Sequence, residues 1–149
     1  MTEKPIIQVL DWNQAKARAR RVRDAVFIVE QKVPVALEWD EWDALCDHAL
    51  ALDAQSNAVG TARLLPDGHL GRMAVLAQWR GKGVGRALAQ ALLEKARERG
   101  LRRTVLHAQA HAAGFYRKLG FVEFGAEFEE AGITHIAMSL ALRKWRSDG

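Results

Sequence analysis

The chain has 149 residues, 49 % of them apolar, and a formal net charge of +4, which suits one domain, residues 1–149, with a core of its own. No apolar run approaches the roughly 20 residues of a membrane helix, the N-terminus lacks the apolar core of a secretory signal, and the lone cysteine, Cys46, has no internal disulfide partner. The expectation is a cytoplasmic protein without a membrane partner. The positive charge is dispersed and interrupted by an acidic zone of Glu38, Asp40, Glu41, Asp43 and Asp47, which argues against nucleic acid as a partner.

Ile6 to Leu10 suits a short strand, and Asp11 or Asn13 can cap the helix after it. Ala15, Ala19, Val22 and Val26 form the apolar stripe of that helix, with Arg18, Arg20, Arg21 and Arg23 reading as a solvated face and a break placed near Val22. Arg23 to Gln31 reads as a second helical piece ended by Pro34. Residues 35 to 47, with Trp39 and Trp42, read as a loop or short helical turn over a cleft.

His48–Asp53 and Ala58–Leu65 are predicted strands about the turn Gln55-Ser56-Asn57, and Pro66-Asp67-Gly68 is a hairpin signal. A further strand reaches Val75. From Gly83 to Arg99, Val84, Leu88, Ala91, Leu92 and Ala96 recur at helical spacing, which predicts a helix buried on one face and stopped at Gly100. Thr104–Ala108 is a strand and Ala112–Leu119 a short helix stopped by Gly120. Phe121–Phe128 and His135–Leu142 are the last strands. Helices, an antiparallel meander, a strand–helix–strand–helix unit and a hairpin together imply an α/β or α+β three-layer domain.

Between the Met73-Ala74-Val75 strand end and the long helix lies Arg80-Gly81-Lys82-Gly83-Val84-Gly85. Successive amides in such a loop converge on one anion, and the helix start adds partial positive charge. Arg80, Lys82 and Arg86 add full charges, an arrangement that suits a pyrophosphate. The order Gly-x-Gly-x-Gly is not the dinucleotide fingerprint, and no Gly-Lys-Ser or Gly-Lys-Thr makes it an ATP loop. Read from composition alone, a tight basic turn remains an alternative.

The loop resembles the acyl-CoA signature of the GCN5-related N-acetyltransferases (GNAT), with Arg80, Gly83 and Gly85 in its fixed places. A second block, Ala112, Phe115, Tyr116, Leu119, Gly120 and Phe121, follows in family order. Gln109 stands where the family commonly has Asn. Phe27-Ile28-Val29-Glu30-Gln31 and Glu127-Phe128-Glu129-Glu130-Ala131-Gly132-Ile133 further resemble a bacterial subgroup similar to ElaA. The resemblance covers nearly the whole chain. It implies the GNAT acyl-CoA N-acyltransferase fold: a central mixed sheet splayed between strands 4 and 5, with helices on both faces and the cofactor arm in the gap.

The implied reaction is acetyl transfer from acetyl-CoA to a primary amine. The Val75 N–H is the implied oxyanion donor, and the Met73–Val75 backbone is expected to pair with the pantetheine amides. Arg80 through Arg86 would hold the pyrophosphate, with Gln109 offering an amide to the cofactor arm. Phe115 is either a pantetheine or adenine contact or an ordinary core residue. Tyr116, the only tyrosine, is implied as the acid that protonates the leaving thiolate, its alternative being an aromatic seat for the sulfur.

The base stays open among Glu30, Glu38, Asp40, Asp43, Glu129, Glu130, His107, His111 and His135, with Glu30 and His107 put forward as substrate-side groups. The acidic zone suits a cationic acceptor such as a polyamine, aminoglycoside or lysine side chain, or is solvated surface. Trp39 and Trp42 line the acceptor groove or cover an apolar edge. Cys46 reads as a buried thiol rather than a nucleophile, and the histidine spacing gives no metal motif. Exposed sheet edges leave a homodimer open. The reading from a different class is a catalytically weak or inactive acyl-CoA-binding sensor.

Overall fold

The computed structural model describes residues 4–38 and 40–142, so Trp39 lies outside the described residues. The elements are β1 (Ile6–Leu10), α1 (Trp12–Arg23), a π-helical segment Asp24–Glu30, α2 (Val35–Glu38), a 3-10 turn Glu41–Leu45, β2 (Asp47–Leu52), β3 (Ala58–Leu64) and β4 (Leu70–Val75). There follow a 3-10 turn Ala77–Trp79, α3 (Val84–Glu98), β5 (Arg103–Gln109), a 3-10 turn Ala110–Ala112, α4 (Ala113–Lys118), β6 (Val122–Glu130) and β7 (Ile133–Ala141).

The first four strands form one antiparallel sheet in the order β1-β2-β3-β4, and the others a second antiparallel sheet in the order β5-β7-β6. The two meet where β4 begins: His69 makes a parallel bridge with Val105, and the Val105 N–H donates to the Gly68 carbonyl at 3.2 Å. Beyond that bridge no ladder joins β4 to β5. The expected splay between strands 4 and 5 is therefore an open wedge, closed at its foot and widening toward Val75 and Gln109.

Side-chain alternation along the strands makes the three layers. Ala49 and Ala51 of β2 lie in the core cluster with Val84, Leu88, Leu92 and Ala96 of α3. Leu50 and Leu52, one residue out of phase, pack with Ala15, Ala19, Val22 and Val26 on the opposite face. Leu106, Met138 and Ile136 continue the α3-side core under the second sheet. Asp11 caps α1, its carboxylate accepting from the Gln14 N–H at 2.9 Å.

Two expectations need correction. Arg23 is not on a solvated face: it is 1 % exposed, and its Nε donates to Glu38 Oε1 at 2.7 Å while Nη1 and Nη2 donate to Asp43 at 2.8 and 3.2 Å. Nor are four of the five carboxylates of the acidic zone free: Glu38, Asp40, Asp43 and Asp47 are each held by arginine. Arg63 clamps Asp40 through both carboxylate oxygens at 2.7 and 2.8 Å and also reaches Asp43 at 2.9 Å. Arg72 donates to Asp40 at 3.2 Å, and Asp47 is held by Arg99 at 2.7 Å. Guanidinium forks match carboxylates two oxygens at a time, so the charges of Glu38, Asp40 and Asp43 are spent tying α2 and the 3-10 turn to α1, β3 and β4. Arg72 reaches this cluster from a bulge in β4, where its φ is +47° and the β3–β4 register shifts.

Candidate active site

The wedge collects most of the residues singled out in the sequence. On β4 the Leu76 N–H donates to the Val59 carbonyl at 2.9 Å. Antiparallel ladders alternate their bonding edges, so the N–H and C=O of Val75 point away from β3 and toward the wedge. Met73 shares that edge, and Ala74 faces β3, opposite Thr61. The Val75 carbonyl accepts from Arg80 Nε at 2.9 Å, while its N–H faces the gap.

After β4 the chain turns through Ala77–Trp79 and enters the glycine loop. Gly81 and Gly83 have φ of +76° and +83°, conformations that cost an L side chain energy, and a Cβ on either would meet open space. Gly83 is the N-cap of α3 and supplies no side-chain cap. The first intrahelical bond runs from the Ala87 N–H to the Gly83 carbonyl at 3.1 Å. The amides of Val84, Gly85 and Arg86 therefore precede the helix ladder and have no partner within it, an uncapped set of donors at a positive helix end. Lys82 lies over the Trp79 ring at 5.3 Å, and Arg86 is exposed. Val84 is buried and anchors this end of α3 in the core.

Gly85 marks where α3 meets α4. A Cβ there would lie 3.3 Å from Phe115 Cζ and 3.6 Å from the Met73 sulfur, so the missing side chain permits that approach. Phe115 is partly exposed and packs edge-to-face on Tyr116, with ring centroids 4.9 Å apart. The Tyr116 hydroxyl contacts the Met73 sulfur at 3.6 Å. Desolvation pushes the phenol pKa up to about 12, so the group stays protonated and able to donate.

Two further contacts, which local sequence does not signal, tie residues 30 and 31 to the two lips of the wedge. Gln109 and Gln31 exchange amide hydrogen bonds at 3.0 and 3.3 Å. Glu30 takes both terminal nitrogens of Arg80 at 2.7 and 2.9 Å. The hydrogen bonds and charge of Arg80 lower the Glu30 pKa. Glu30, the last residue of the π-helical segment, and Gln31 just after it thus reach the two lips of the gap. Only the paired appearance of Phe27–Gln31 with the glycine loop in the family resemblance hinted at this.

His107 lies on the opposite face of β5 from Leu106 and Ala108, on the same side as Gln109. Its Nδ1 is 3.5 Å from Glu130 Oε1, and His135 Nε2 is 3.6 Å from Glu130 Oε2. Cys46 is buried, donates to the Trp42 carbonyl at 3.1 Å and has its thiol pKa pushed up to about 11, mainly by burial. Trp42 is half exposed on the 3-10 turn. Among the described residues no three His, Cys, Asp or Glu side chains converge as metal ligands, and no helix is long and apolar enough to cross a membrane.

Residues 16–142 match the family model described as an acetyltransferase (GNAT) domain. The chain is 38 % identical over 121 residues to the uncharacterized N-acetyltransferase YjcF of Bacillus subtilis, a match covering 78 % of this chain and 86 % of that protein. Its fold is similar to that of ElaA from Escherichia coli, with a TM-score of 0.81 and 29 % identity over 91 % of this chain and 98 % of that one. It is equally similar to an acyl-CoA N-acyltransferase from Pseudomonas aeruginosa, with a TM-score of 0.81 and 28 % identity over the same shares.

Proposed function

The chain belongs to the GNAT acetyltransferase family, whose members transfer an acyl group from a CoA thioester to an amine, and on that premise we propose that it uses acetyl-CoA and a primary amine. The observation that carries this reading is the Tyr116 hydroxyl beside the Met73 sulfur at the wedge, next to an uncapped helix start. The pyrophosphate would rest on the amides from Lys82 to Arg86, of which those of Val84, Gly85 and Arg86 precede the helix ladder. The pantetheine arm would run down the wedge along the free edge of Met73 and Val75, like an added strand.

Within that arrangement the Val75 N–H donates to the thioester oxygen as charge builds on it. Tyr116 donates its proton to the departing sulfur, and its raised pKa keeps the proton available throughout the neutral range. Arg80 is engaged by Glu30 and by the Val75 carbonyl, which favours a part in fixing the loop as well as in attracting phosphate. Glu30 has its pKa lowered by that pair, which weakens it as a base and favours a positioning part. A buried, protonated thiol at Cys46 suits a reducing cytoplasm.

The test is release of free CoA thiol from acetyl-CoA across a panel of primary amines, with acetyl-CoA affinity measured in parallel. Amine-dependent release supports the reading. Saturable binding without any amine-dependent release would instead make the chain an acyl-CoA sensor.

A further inference from the structure

Resting on the acetyltransfer reading, we infer that the acceptor is a singly charged primary amine with an apolar body, its ammonium bound by Glu130 and His135 and deprotonated by His107. The strand register places these groups on one face. His107, Ala137 and Phe124 are direct cross-strand partners in a row, as are Gln109, His135 and Phe128 in the next. Paired residues point to the same side of a sheet. This side is opposite the α3-facing core of Leu106, Ile136 and Met138. Tyr116 packs against that core, so the wedge separates the thiolate acid from the His107 face.

Charge selects the acceptor class. Asp40, Asp43, Asp47 and Glu30 are each bound to arginine. Glu130 is half exposed, and among the described residues its ion-pair contacts are only the two imidazoles. Asp67, nearer the foot of the wedge, accepts from the His69 backbone N–H and meets its ring Nδ1, both at 3.0 Å. On this face of the paired strands Glu130 is the carboxylate that no arginine holds; its neighbour Glu129 pairs with Thr134, one residue out of phase, and accepts from that hydroxyl at 3.0 Å, so the row offers one carboxylate to one ammonium. The His135 Nδ1 meets the Ile133 carbonyl at 2.7 Å. A carbonyl only accepts, so Nδ1 carries a hydrogen and Nε2 is the ring atom that faces Glu130.

The His107 ring turns Nδ1 toward Glu130, leaving Nε2 as its proton acceptor. The surface beyond is apolar: Phe128 packs edge-to-face on His107 with centroids 5.1 Å apart, and Phe124 is 47 % exposed in the same row as His107.

The proton ledger closes. The ammonium N–H bond breaks toward His107 Nε2, and the freed lone pair forms the C–N bond as the C–S bond breaks. Tyr116 gives its proton to sulfur and receives the second nitrogen proton in exchange. His107, partly exposed, returns its proton to solvent. Amine, thioester and protein groups need no further reactant.

Phenethylamine and spermidine are the probes, assayed at saturating acetyl-CoA. The expected result is acetylation of phenethylamine with a kcat/KM at least about tenfold above that of spermidine, the worth of one well-placed contact. Glu130→Gln is expected to raise the phenethylamine KM about tenfold at nearly constant kcat. His107→Gln is expected to lower kcat by about a hundredfold with little change in KM. Phe124→Ala should raise KM for phenethylamine but not for ethylamine. All variants should bind acetyl-CoA as the parent does. Preference for spermidine, or parental KM in Glu130→Gln and parental kcat in His107→Gln, would overturn the inference and leave the acetyltransfer reading intact. Acetyl-CoA binding with no turnover on any amine would overturn both.

Discussion

Glu30 and Arg80, 50 residues apart in the chain, form a two-point ion pair at 2.7 and 2.9 Å while Arg80 Nε also holds the Val75 carbonyl at 2.9 Å. The pair joins the π-helical segment to the start of the glycine loop and to the edge strand of the wedge. It is exposed, so its energetic worth is small, about 0–1 kcal/mol, and its value is geometric. Arg80→Met is expected to raise the acetyl-CoA Kd about tenfold by removing loop fixation and one phosphate-attracting charge. Glu30→Gln should change that Kd by no more than about threefold and leave kcat near the parent value. Calorimetric binding with steady-state kinetics separates these from a Glu30 base, for which kcat alone would collapse.

Tyr116→Phe keeps the ring packing against Phe115 and Phe121 and removes only the hydroxyl. If the phenol is the acid, kcat falls by about 10²–10⁴ while acetyl-CoA affinity holds. The raised phenol pKa also fixes a pH signature. With the phenol pKa near 12, deprotonation of this group causes no alkaline loss of kcat between pH 7 and 10. A Tyr-dependent fall in that range would contradict the assignment.

Gly85 is the contact point of α3, α4 and β4. Its absent Cβ would sit 3.3 Å from Phe115, and a larger side chain would push Phe115 into the space over the loop. Gly85→Val should therefore abolish measurable acetyl-CoA binding at millimolar ligand while costing the fold about 1–3 kcal/mol. Thermal unfolding and calorimetry on the same sample distinguish loss of binding from loss of fold.

The charge cluster predicts stability rather than activity. Arg23→Met would leave Glu38 and the Asp43 side of the network buried without their shared cation, a loss of about 3–5 kcal/mol. Urea unfolding reads it directly. For Asp43, burial opposes ionisation, but the hydrogen bonds and charges of Arg23 and then Arg63 prevail and lower its pKa; Asp40 is lowered in the same way by Arg63 and Arg72. Their contribution is present above the unfolded carboxylate value and is lost as pH falls through the lowered folded value, that is, below about pH 4.

His48 acts at milder pH. Burial lowers its pKa below 6.5, and its Nε2 bonds the Asp43 carbonyl at 2.9 Å. The unfolded chain takes up a proton before the native one does, so stability present above the unfolded value declines as pH drops below about 6.5. His48→Gln should flatten the fall in Tm between pH 7 and 5. An unchanged slope would assign that fall to another group.

The sequence reveals local conformation more readily than distant pairing. The glycine loop was legible because Gly81 and Gly83 occupy backbone regions that other residues avoid, and α3 because Val84, Leu88, Leu92 and Ala96 repeat at helical spacing. Arg23 looked solvated because nothing in its neighbourhood announces Glu38, Asp43 or the buried sheet face they share. The Gln31–Gln109 amide exchange joins residues 78 positions apart, and no periodicity encodes it. The π-helical segment carries the sequence signal of an ordinary helix, since the apolar stripe through Val22 and Val26 stays buried in one cluster. The row of His107, Ala137 and Phe124 depends on strand register, which composition does not set.

The most direct measurement is a crystal structure with acetyl-CoA bound. The account predicts pyrophosphate oxygens within hydrogen-bond distance of amides between Lys82 and Arg86, the thioester oxygen on the Val75 N–H, and the sulfur beside the Tyr116 hydroxyl. Phosphates seated away from that helix start, with β4 and β5 drawn together along their length, would contradict it.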